Sequence, residues 1–270
     1  MPYATSGDVK LYYEDTGAGP PVLFLHELAS DLRQWRGQIG PLSQRFRCIA
    51  FNARGYPPSD VPLEDGAYRW ERFAADAGAV LDHLGLPDAV LVGWSMGGYA
   101  ALQFARLNPW RVRGLAAVGV GSGSPSAERA GFQAQMRALA QAWRTNPELA
   151  AGLIAGTPGR QALRRRDPDA FTAWLSDLVR HSPEGMALTS SNYQGLRPSL
   201  EDFEAEFAGL GMPVLLVVGD EDPACLVATR RLARVIPDAR LVVMPGAGHA
   251  PMLEGPAGFN RHLGAFLESL

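Results

Sequence analysis

The sequence predicts an α/β protein with a mostly parallel, doubly wound sheet and a helical cap inserted into it. Over most of the 270 residues, short apolar runs alternate with helical patterns, which is typical of a parallel sheet covered by helices on both faces. The alternation stops between about Gly121 and Gly211, and strand-like runs then resume. We therefore predict a core of residues 1–123 and 211–270 and a cap of residues 124–210.

The predicted strands are short runs rich in Val, Leu, Ile and Phe. Most of them are nearly continuous apolar stretches, which fits strands that are buried on both faces of a parallel sheet. In chain order they cover 11–14, 21–25, 46–51, 90–93, 115–120, 214–218 and 241–244.

Helical patterns lie between most of these runs. Good helix formers predict helices over 70–84, 96–107 and 224–235 in the core, and over 132–143 and 170–179 in the cap. Asn108-Pro109 ends the second of these, because proline cannot continue a helix. In the cap, Arg164-Arg165-Arg166 is interpreted as a charged, solvated turn.

Composition excludes several classes of function. The chain is 47% hydrophobic and 20% charged, with a net charge of −3, and no polybasic run favours nucleic acid or an anionic membrane as a partner. Neither a signal-peptide pattern nor a membrane-spanning apolar run is visible, so we expect a cytoplasmic protein. Cys48 and Cys225 lack metal-ligand spacing, and the early glycines lack a dinucleotide pattern. We expect no metal and no cofactor, and leave the oligomeric state open.

A glycine-flanked serine lies where a predicted strand meets a predicted helix. The residues are Gly93-Trp94-Ser95-Met96-Gly97. Glycine on both sides lets the chain turn sharply and lets neighbouring backbone approach, so that the hydroxyl projects from the turn. The first amides of the helix favour a negative charge at the same place. The five-residue pattern also occurs by chance, but its strand–turn–helix setting favours a nucleophilic serine.

A serine hydroxyl needs a base, and the base needs an acid that orients it. The predicted strand 214–218 is followed by Asp220 and Asp222, and either carboxylate fits the acid while the other caps a helix. The last predicted strand is followed by a glycine-rich loop that carries His249. These groups and Ser95 all follow strands, at the edge where open parallel sheets place their sites. We predict His249 as the base; a histidine in a surface loop is the alternative.

Several motifs resemble those of the α/β-hydrolase superfamily, in the branch with a helical cap. Besides the serine turn, they are Leu25-His26, Gly219-Asp220-Glu221-Asp222 and Gly246-Ala247-Gly248-His249. The resemblance covers nearly all 270 residues. It implies a triad of Ser95, Asp222 and His249. It also implies that the amides of Leu28 and Met96 form the oxyanion hole.

Position 27 departs from the superfamily pattern. The residue after His26 is usually glycine, but here it is Glu27. One interpretation is a structural contact that holds the loop, with Arg54 as the expected partner. The other is a polar contact or a proton-transfer role in the substrate pocket.

We predict a cofactor-independent serine hydrolase that cleaves a small carboxylic ester or lactone through an acyl-enzyme. Glu27, Trp94 and Tyr193 are predicted to line its substrate pocket. One alternative is hydrolysis of a carbon–carbon bond in a diketone with the same triad. Another is a ligand-sensing protein of this fold that signals through a partner. Dehalogenase and epoxide-hydrolase activities are disfavoured because those branches have aspartate at the position of Ser95.

Overall fold

The computed structural model describes residues 2–270 and has one sheet of eight strands within them. In chain order the strands are β1 (Tyr3–Ser6), β2 (Val9–Thr16), β3 (Pro21–Leu25), β4 (Arg47–Phe51), β5 (Ala89–Trp94), β6 (Val112–Val118), β7 (Val214–Gly219) and β8 (Ala239–Met244). Their spatial order is β1-β2-β4-β3-β5-β6-β7-β8. β2 is antiparallel to β1 and β4, and every other neighbouring pair is parallel. The predicted fold class is confirmed.

Twelve α-helices lie between and after these strands in residues 2–270. They are α1 (Arg36–Leu42), α2 (Trp70–His83), α3 (Met96–Leu107), α4 (Arg129–Thr145), α5 (Pro147–Ala155), α6 (Pro158–Arg166), α7 (Pro168–Leu178), α8 (Pro183–Leu188), α9 (Glu204–Phe207), α10 (Pro223–Val235), α11 (Pro251–Glu254) and α12 (Pro256–Glu268). Short 3₁₀ helices cover Leu32–Trp35, Asp65–Tyr68, Pro109–Arg111 and Leu200–Phe203, and a π-helical turn covers Thr189–Gln194. Over the described residues, none of the helices combines the length and the apolar character needed to cross a bilayer.

The central strands are buried along their whole length. Every residue of β5 and β7 is buried, and Val22, Leu23 and Phe24 of β3 have no exposed surface. Side chains on both faces of these strands pack under helices, which explains why the sequence shows nearly continuous apolar runs there. Because β3 and β5 to β8 are parallel, the segments that follow them emerge at one edge of the sheet.

The segment between β6 and β7 is helical and, among the described residues, contains no strand. Proline opens each of the four consecutive helices α5 to α8, because its missing N–H falls where a helix has no acceptor for it. Asn146, Asp167 and Ser182 cap three of these helices through their side-chain oxygens. We call residues 124–210 the helical insertion and propose it as the cap.

The interpretation of Arg164-Arg165-Arg166 as a turn is wrong. The three residues form the last turn of α6, and all three are exposed. Arginine is a good helix former, and positive charge is favourable at a helix C-terminus. The charge run therefore extends the helix instead of ending it.

Candidate active site

The backbone at Ser95 is a strained turn between β5 and α3. Ser95 has φ +51° and ψ −107°, and within residues 2–270 it is the one non-glycine residue with positive φ. A Cβ added to Gly93 would lie 2.4 Å from the carbonyl oxygen of Gly97, and one added to Gly97 would lie 2.4 Å from that of Leu25. Only glycine fits either position. Strain of this kind persists where the surrounding structure enforces it, and it is concentrated at functional sites.

Hydrogen bonds on both sides of the turn hold Ser95 in place. Its N–H donates to Val118 O at 2.7 Å, and its carbonyl accepts from Tyr99 N at 2.9 Å.

The amides of Met96 and Leu28 donate to no protein acceptor within residues 2–270. Both amides are therefore available to an oxygen of a ligand, and Met96 also begins α3, whose N-terminus favours negative charge.

Asp222 and His249 form a close hydrogen-bonded pair. Asp222 Oδ2 lies 2.7 Å from His249 Nδ1. Asp222 is buried just before α10, and His249, whose side chain is 17% exposed, lies in the loop after β8. Two hydrogen bonds to the backbone of His249 fix that loop: His249 N donates to Gly159 O at 3.2 Å, and the indole Nε1 of Trp94 donates to His249 O at 2.7 Å.

The structure separates the two aspartates that the sequence left as alternatives. Asp222 faces the imidazole of His249. The carboxylate of Asp220 instead accepts a hydrogen bond from Gly246 N at 2.7 Å and is exposed. Asp220 therefore holds the loop that carries His249, and Asp222 contacts the ring itself.

The electrostatics of the pair favour the charged aspartate. Burial disfavours the Asp222 carboxylate, but the His249 ring, together with smaller contributions from Cys225 and Arg160, lowers the pKa of Asp222 below its ordinary value. Burial also disfavours a charged His249, but Asp222 and, more weakly, Glu27 raise the pKa of His249 above its ordinary value. Asp222 is thus ionised and supports an imidazolium on His249 when one forms.

The expected contact between Glu27 and Arg54 is wrong. Arg54 Nε donates to Asp76 Oδ2 of α2 at 2.9 Å, in a buried pair on the core side. Glu27 instead binds Arg160, which projects from α6 of the helical insertion, through Arg160 Nη2 and Glu27 Oε1. The loop after β3 faces the insertion, so its carboxylate meets the arginine that the insertion supplies. Glu27 Oε2 also lies 3.7 Å from His249 Nε2.

The guanidinium of Arg160 lies between two indole rings. Its central carbon is 4.9 Å from the centroid of the Trp94 ring and 4.4 Å from that of the Trp174 ring, in the range of favourable cation–π contact. Trp174 Nε1 donates to Ala29 O at 2.8 Å, which ties the insertion to the loop after β3. Arg160 is only 2% exposed, and its Nη1 atom has no hydrogen-bond partner within residues 2–270.

Other buried side chains hold the backbone of the site. The hydroxyl of Tyr193 donates to Met96 O at 3.0 Å, and that of Tyr56 donates to Leu28 O at 2.7 Å. Trp94 and Tyr193, predicted as pocket residues, have no exposed surface, and their contact with a ligand stays a prediction. Sequence reasoning missed Arg160 and Tyr56, because neither lies in a motif that marks it as part of a site.

His26 has a structural role beneath the site. Ala53 N donates to His26 Nε2 at 2.9 Å, so the proton of the neutral ring is on Nδ1, which lies 2.7 Å from Glu27 O. Burial lowers the pKa of His26 to about 4. A neutral ring therefore links the loops after β3 and β4.

One group of side chains has donor atoms close enough together for a metal ion. The donor atoms of Asp222, Cys225 and His249 all lie within 4.8 Å of one another. Burial and the neighbouring Asp222 raise the pKa of the Cys225 thiol well above its ordinary value, so the thiol is protonated in this arrangement. The hydrogen bond between Asp222 and His249 explains why the donor atoms of these two residues lie close together.

Comparison with known proteins agrees with the fold. The alpha/beta hydrolase fold family matches residues 20–256. The chain belongs to this family. Over the full length of both chains it is 29% identical to a non-heme haloperoxidase from Rhodococcus erythropolis. It is 28% identical to 3-oxoadipate enol-lactonase 2 from Acinetobacter baylyi, covering 98% of this chain and 95% of the relative.

Solved structures of similar proteins have the same fold. A thermophilic esterase from Thermogutta terrifontis, with malate bound, is similar with a TM-score of 0.88 and 29% identity, covering 99% of this chain and 97% of the other. Esterases and lactonases recur among the relatives of this chain, which supports a hydrolase that acts on small molecules.

Proposed function

We propose that the protein is a serine hydrolase that cleaves a small carboxylic ester or lactone. The observation that carries the proposal is the 2.7 Å contact between Asp222 Oδ2 and His249 Nδ1 at the sheet edge where Ser95 projects from its turn. A nucleophile, a base and an orienting acid on three loops at one edge are the groups that acyl transfer needs.

In the first half of the reaction the Ser95 hydroxyl attacks the substrate carbonyl while His249 Nε2 accepts its proton. Asp222 holds the ring with Nδ1–H toward its carboxylate and stabilises the imidazolium. The amides of Leu28 and Met96 bind the oxyanion, where removing one such donor typically costs about 3–4 kcal/mol in the transition state. His249 then protonates the leaving alcohol, and an acyl-enzyme remains on Ser95.

In the second half, water attacks the acyl-enzyme. His249 removes a proton from that water, the same two amides bind the second oxyanion, and the collapse of this intermediate releases the acid and restores Ser95. In a lactone the alcohol and the acid belong to one molecule, so a hydroxy acid leaves.

Burial around the site supports a small substrate. Ser95 and His249 are partly exposed, whereas Glu27, Asp222 and Arg160 around them are buried. The helical insertion packs directly on the histidine loop, because the carbonyl of Gly159 accepts from His249 N. A site covered in this way favours compact molecules over a polypeptide. The esterase and lactonase relatives support the same class.

Covalent labelling tests the nucleophile. We expect a fluorophosphonate to label wild-type protein at Ser95 and to leave Ser95→Ala unlabelled, because the hydroxyl is the reacting group. Ser191→Ala is the matched control: that hydroxyl donates to Ala187 O within the insertion, so its loss should leave labelling intact. Labelling of folded Ser95→Ala to the wild-type extent would remove Ser95 as the nucleophile.

A substrate panel tests the reaction. Short-chain methyl esters, five- and six-membered lactones and a diketone are assayed with wild type and with Ser95→Ala. We expect turnover of esters or lactones by wild type only. Turnover of the diketone alone would favour carbon–carbon hydrolysis instead. No turnover, with a ligand-dependent change in oligomeric state, would favour a sensor.

A further inference from the structure

We propose that Glu27 and Arg160 form a selectivity element that binds an uncharged oxygen of the substrate and excludes substrates that carry a carboxylate. This inference rests on the proposed function and narrows its substrate class. It assigns a role to two buried charged groups that the triad does not use.

The pair lies next to the atoms that would react. Glu27 precedes Leu28, whose amide is a proposed oxyanion donor, and Glu27 Oε2 is 3.7 Å from His249 Nε2. Glu27 and Arg160 are each 2% exposed. Arg160 also opposes a positive charge on His249, so its guanidinium is close enough to act on that ring electrostatically.

Arg160 keeps an unused hydrogen-bond donor. Its Nη2 atom binds Glu27, while its Nη1 atom is buried without a partner within residues 2–270. Leaving a buried donor unpaired is costly, so this nitrogen has room for an acceptor that the described residues do not supply. The rings of Trp94 and Trp174 pack against the guanidinium, and the bond to Glu27 holds it as well, so the group is in place before a ligand arrives.

A purely structural pair in the same protein differs in this respect. Arg54 and Asp76 are also buried. There, Nε and Nη2 of the arginine bind Asp76, and Nη1 donates to Ala67 O at 3.0 Å. The guanidinium of Arg54 thus has a partner for each nitrogen, as expected of a brace.

The balance of charge decides which acceptor fits. Around the reacting atoms, Glu27 and Asp222 are negative, Arg160 is positive, and His249 is neutral when it acts as a base. A further buried acidic group, Glu254, accepts hydrogen bonds from Gly248 N and Ala250 N on either side of the ring, so it adds no positive charge. The group therefore has a net negative charge before a substrate binds. A substrate carboxylate would add a second uncompensated negative charge in a buried place, where screening is weak. A carbonyl or ether oxygen accepts from Arg160 Nη1 without that repulsion.

Dimethyl glutarate and monomethyl glutarate test the charge selectivity directly. They share the scissile ester, but at pH 7.5 the second carries an ionised carboxylate. We expect wild type to have a kcat/KM for the diester at least about tenfold higher than for the monoanion, beyond the factor of two from its two ester groups. Equal values, or preference for the monoanion, would overturn the proposal without any variant being made.

Glu27→Gln is the decisive variant because it removes the charge and keeps an oxygen for Arg160. We expect the ratio between diester and monoanion to fall at least about tenfold, mainly because the monoanion improves. Glu221→Gln is the matched control: Glu221 binds Arg165 of the same helix α6, but both are exposed, so the ratio should not change. An unchanged ratio in folded Glu27→Gln would leave the pair a structural contact only.

Arg160→Met tests the free donor. Wild type should have a higher kcat/KM for dimethyl glutarate than for methyl hexanoate, which lacks the second ester group and its oxygens. This preference should disappear in the variant. If the preference survives in folded protein, Arg160 is not the donor. Arg160→Lys, which keeps the charge, is the second variant if the methionine variant does not fold.

Binding to Ser95→Ala separates failure of this inference from failure of the proposed function. Titration calorimetry gives Kd for the diester and the monoanion without turnover. If wild type hydrolyses no ester but Ser95→Ala binds the diester more tightly than the monoanion, the selectivity element stands and the hydrolase proposal fails. Equal Kd values in a protein that does hydrolyse esters would reject the selectivity element alone.

Discussion

Four acidic side chains of residues 2–270 lie near His249, and each makes a different contact. Glu254 accepts hydrogen bonds from Gly248 N and Ala250 N on either side of the histidine. Asp222 binds Nδ1 of the ring, Asp220 binds the backbone of the loop that carries the ring, and Glu27 faces Nε2. Two of them stand only two positions apart in the sequence. At the scale of single residues, the partner of each carboxylate decides its effect on the proposed chemistry.

The first comparison is between Asp222→Asn and Asp220→Asn. Loss of the Asp222 charge leaves the imidazolium unsupported and permits the wrong tautomer of His249, so we expect kcat to fall by about 10⁴-fold. Asp220→Asn keeps an oxygen for Gly246 N, and kcat should stay within about tenfold. Circular dichroism is used to check that both variants are folded. A larger loss in Asp220→Asn would reassign the acid.

The pH–rate profile tests the charges around His249. His249 must be neutral to accept a proton, and its pKa is raised, so kcat/KM for a neutral ester should rise with pH through a midpoint above about 6.5. Glu27 raises that pKa and Arg160 lowers it. Glu27→Gln should therefore move the midpoint to lower pH, and Arg160→Met should move it higher. Shifts in the opposite directions would contradict these placements.

At the scale of elements, helix α6 connects the helical insertion to the site. Its second residue, Gly159, packs against the histidine loop, and its third is Arg160. A Cβ added to Gly159 would lie 2.8 Å from His249 Cβ and 3.0 Å from His249 N. Glycine is needed here because the first turn of α6 closely approaches the histidine loop, and the helix thereby limits where the ring can lie.

Gly159→Ala should displace the His249 ring and lower kcat/KM at least tenfold, since small misplacements of a catalytic group cost about that much or more. Gly152→Ala in α5 is the control, because among residues 2–270 no atom beyond its chain neighbours and the backbone of its own helix lies within 4 Å of a Cβ added there. It should keep full activity and gain up to about 1 kcal/mol of stability, as alanine is the better helix former. Equal activity of the two variants would show that α6 does not position the ring.

The elements that the sequence predicted well are those with a local cause. The strand predicted at 21–25 has the bounds of β3, and the helix predicted at 96–107 has the bounds of α3, because an apolar run and a proline stop mark them. β1 was missed, since Tyr3–Ser6 is a short edge strand without an apolar run. Its antiparallel hydrogen bonds with β2 stabilise it as a strand, and no pattern within its own four residues indicates that pairing.

At the scale of the whole molecule, residues far apart in sequence meet at the site. The motifs around Ser95, Asp222 and His249 could be found from the sequence, because each follows a strand in a recognisable pattern. Arg160 could not, since 133 positions separate it from Glu27 and only the docking of the insertion brings the two together. Local patterns predict which groups carry the chemistry, whereas tertiary contacts determine what surrounds them.

The whole enzyme should work without a metal ion. The close group of Asp222, Cys225 and His249 is explained by the aspartate–histidine pair and a protonated thiol. We expect exhaustive dialysis against EDTA to leave ester hydrolysis within about 20% of its starting rate, a margin set by assay error, because general-base catalysis by His249 needs no metal. Loss of activity that zinc or another divalent ion restores would contradict this. Cys225→Ser, dialysed in parallel, identifies that residue as a ligand if it no longer recovers.

The buried contact between Glu27 and Arg160 also constrains how this chain can diverge. Losing either partner alone leaves an isolated charge in the interior, which typically costs about 3–5 kcal/mol and threatens a marginally stable protein. A descendant with glycine at position 27 should therefore have an uncharged residue at position 160 as well. The two sites should co-vary across homologous sequences, and a lineage that acquires acidic substrates is expected to replace both in close succession.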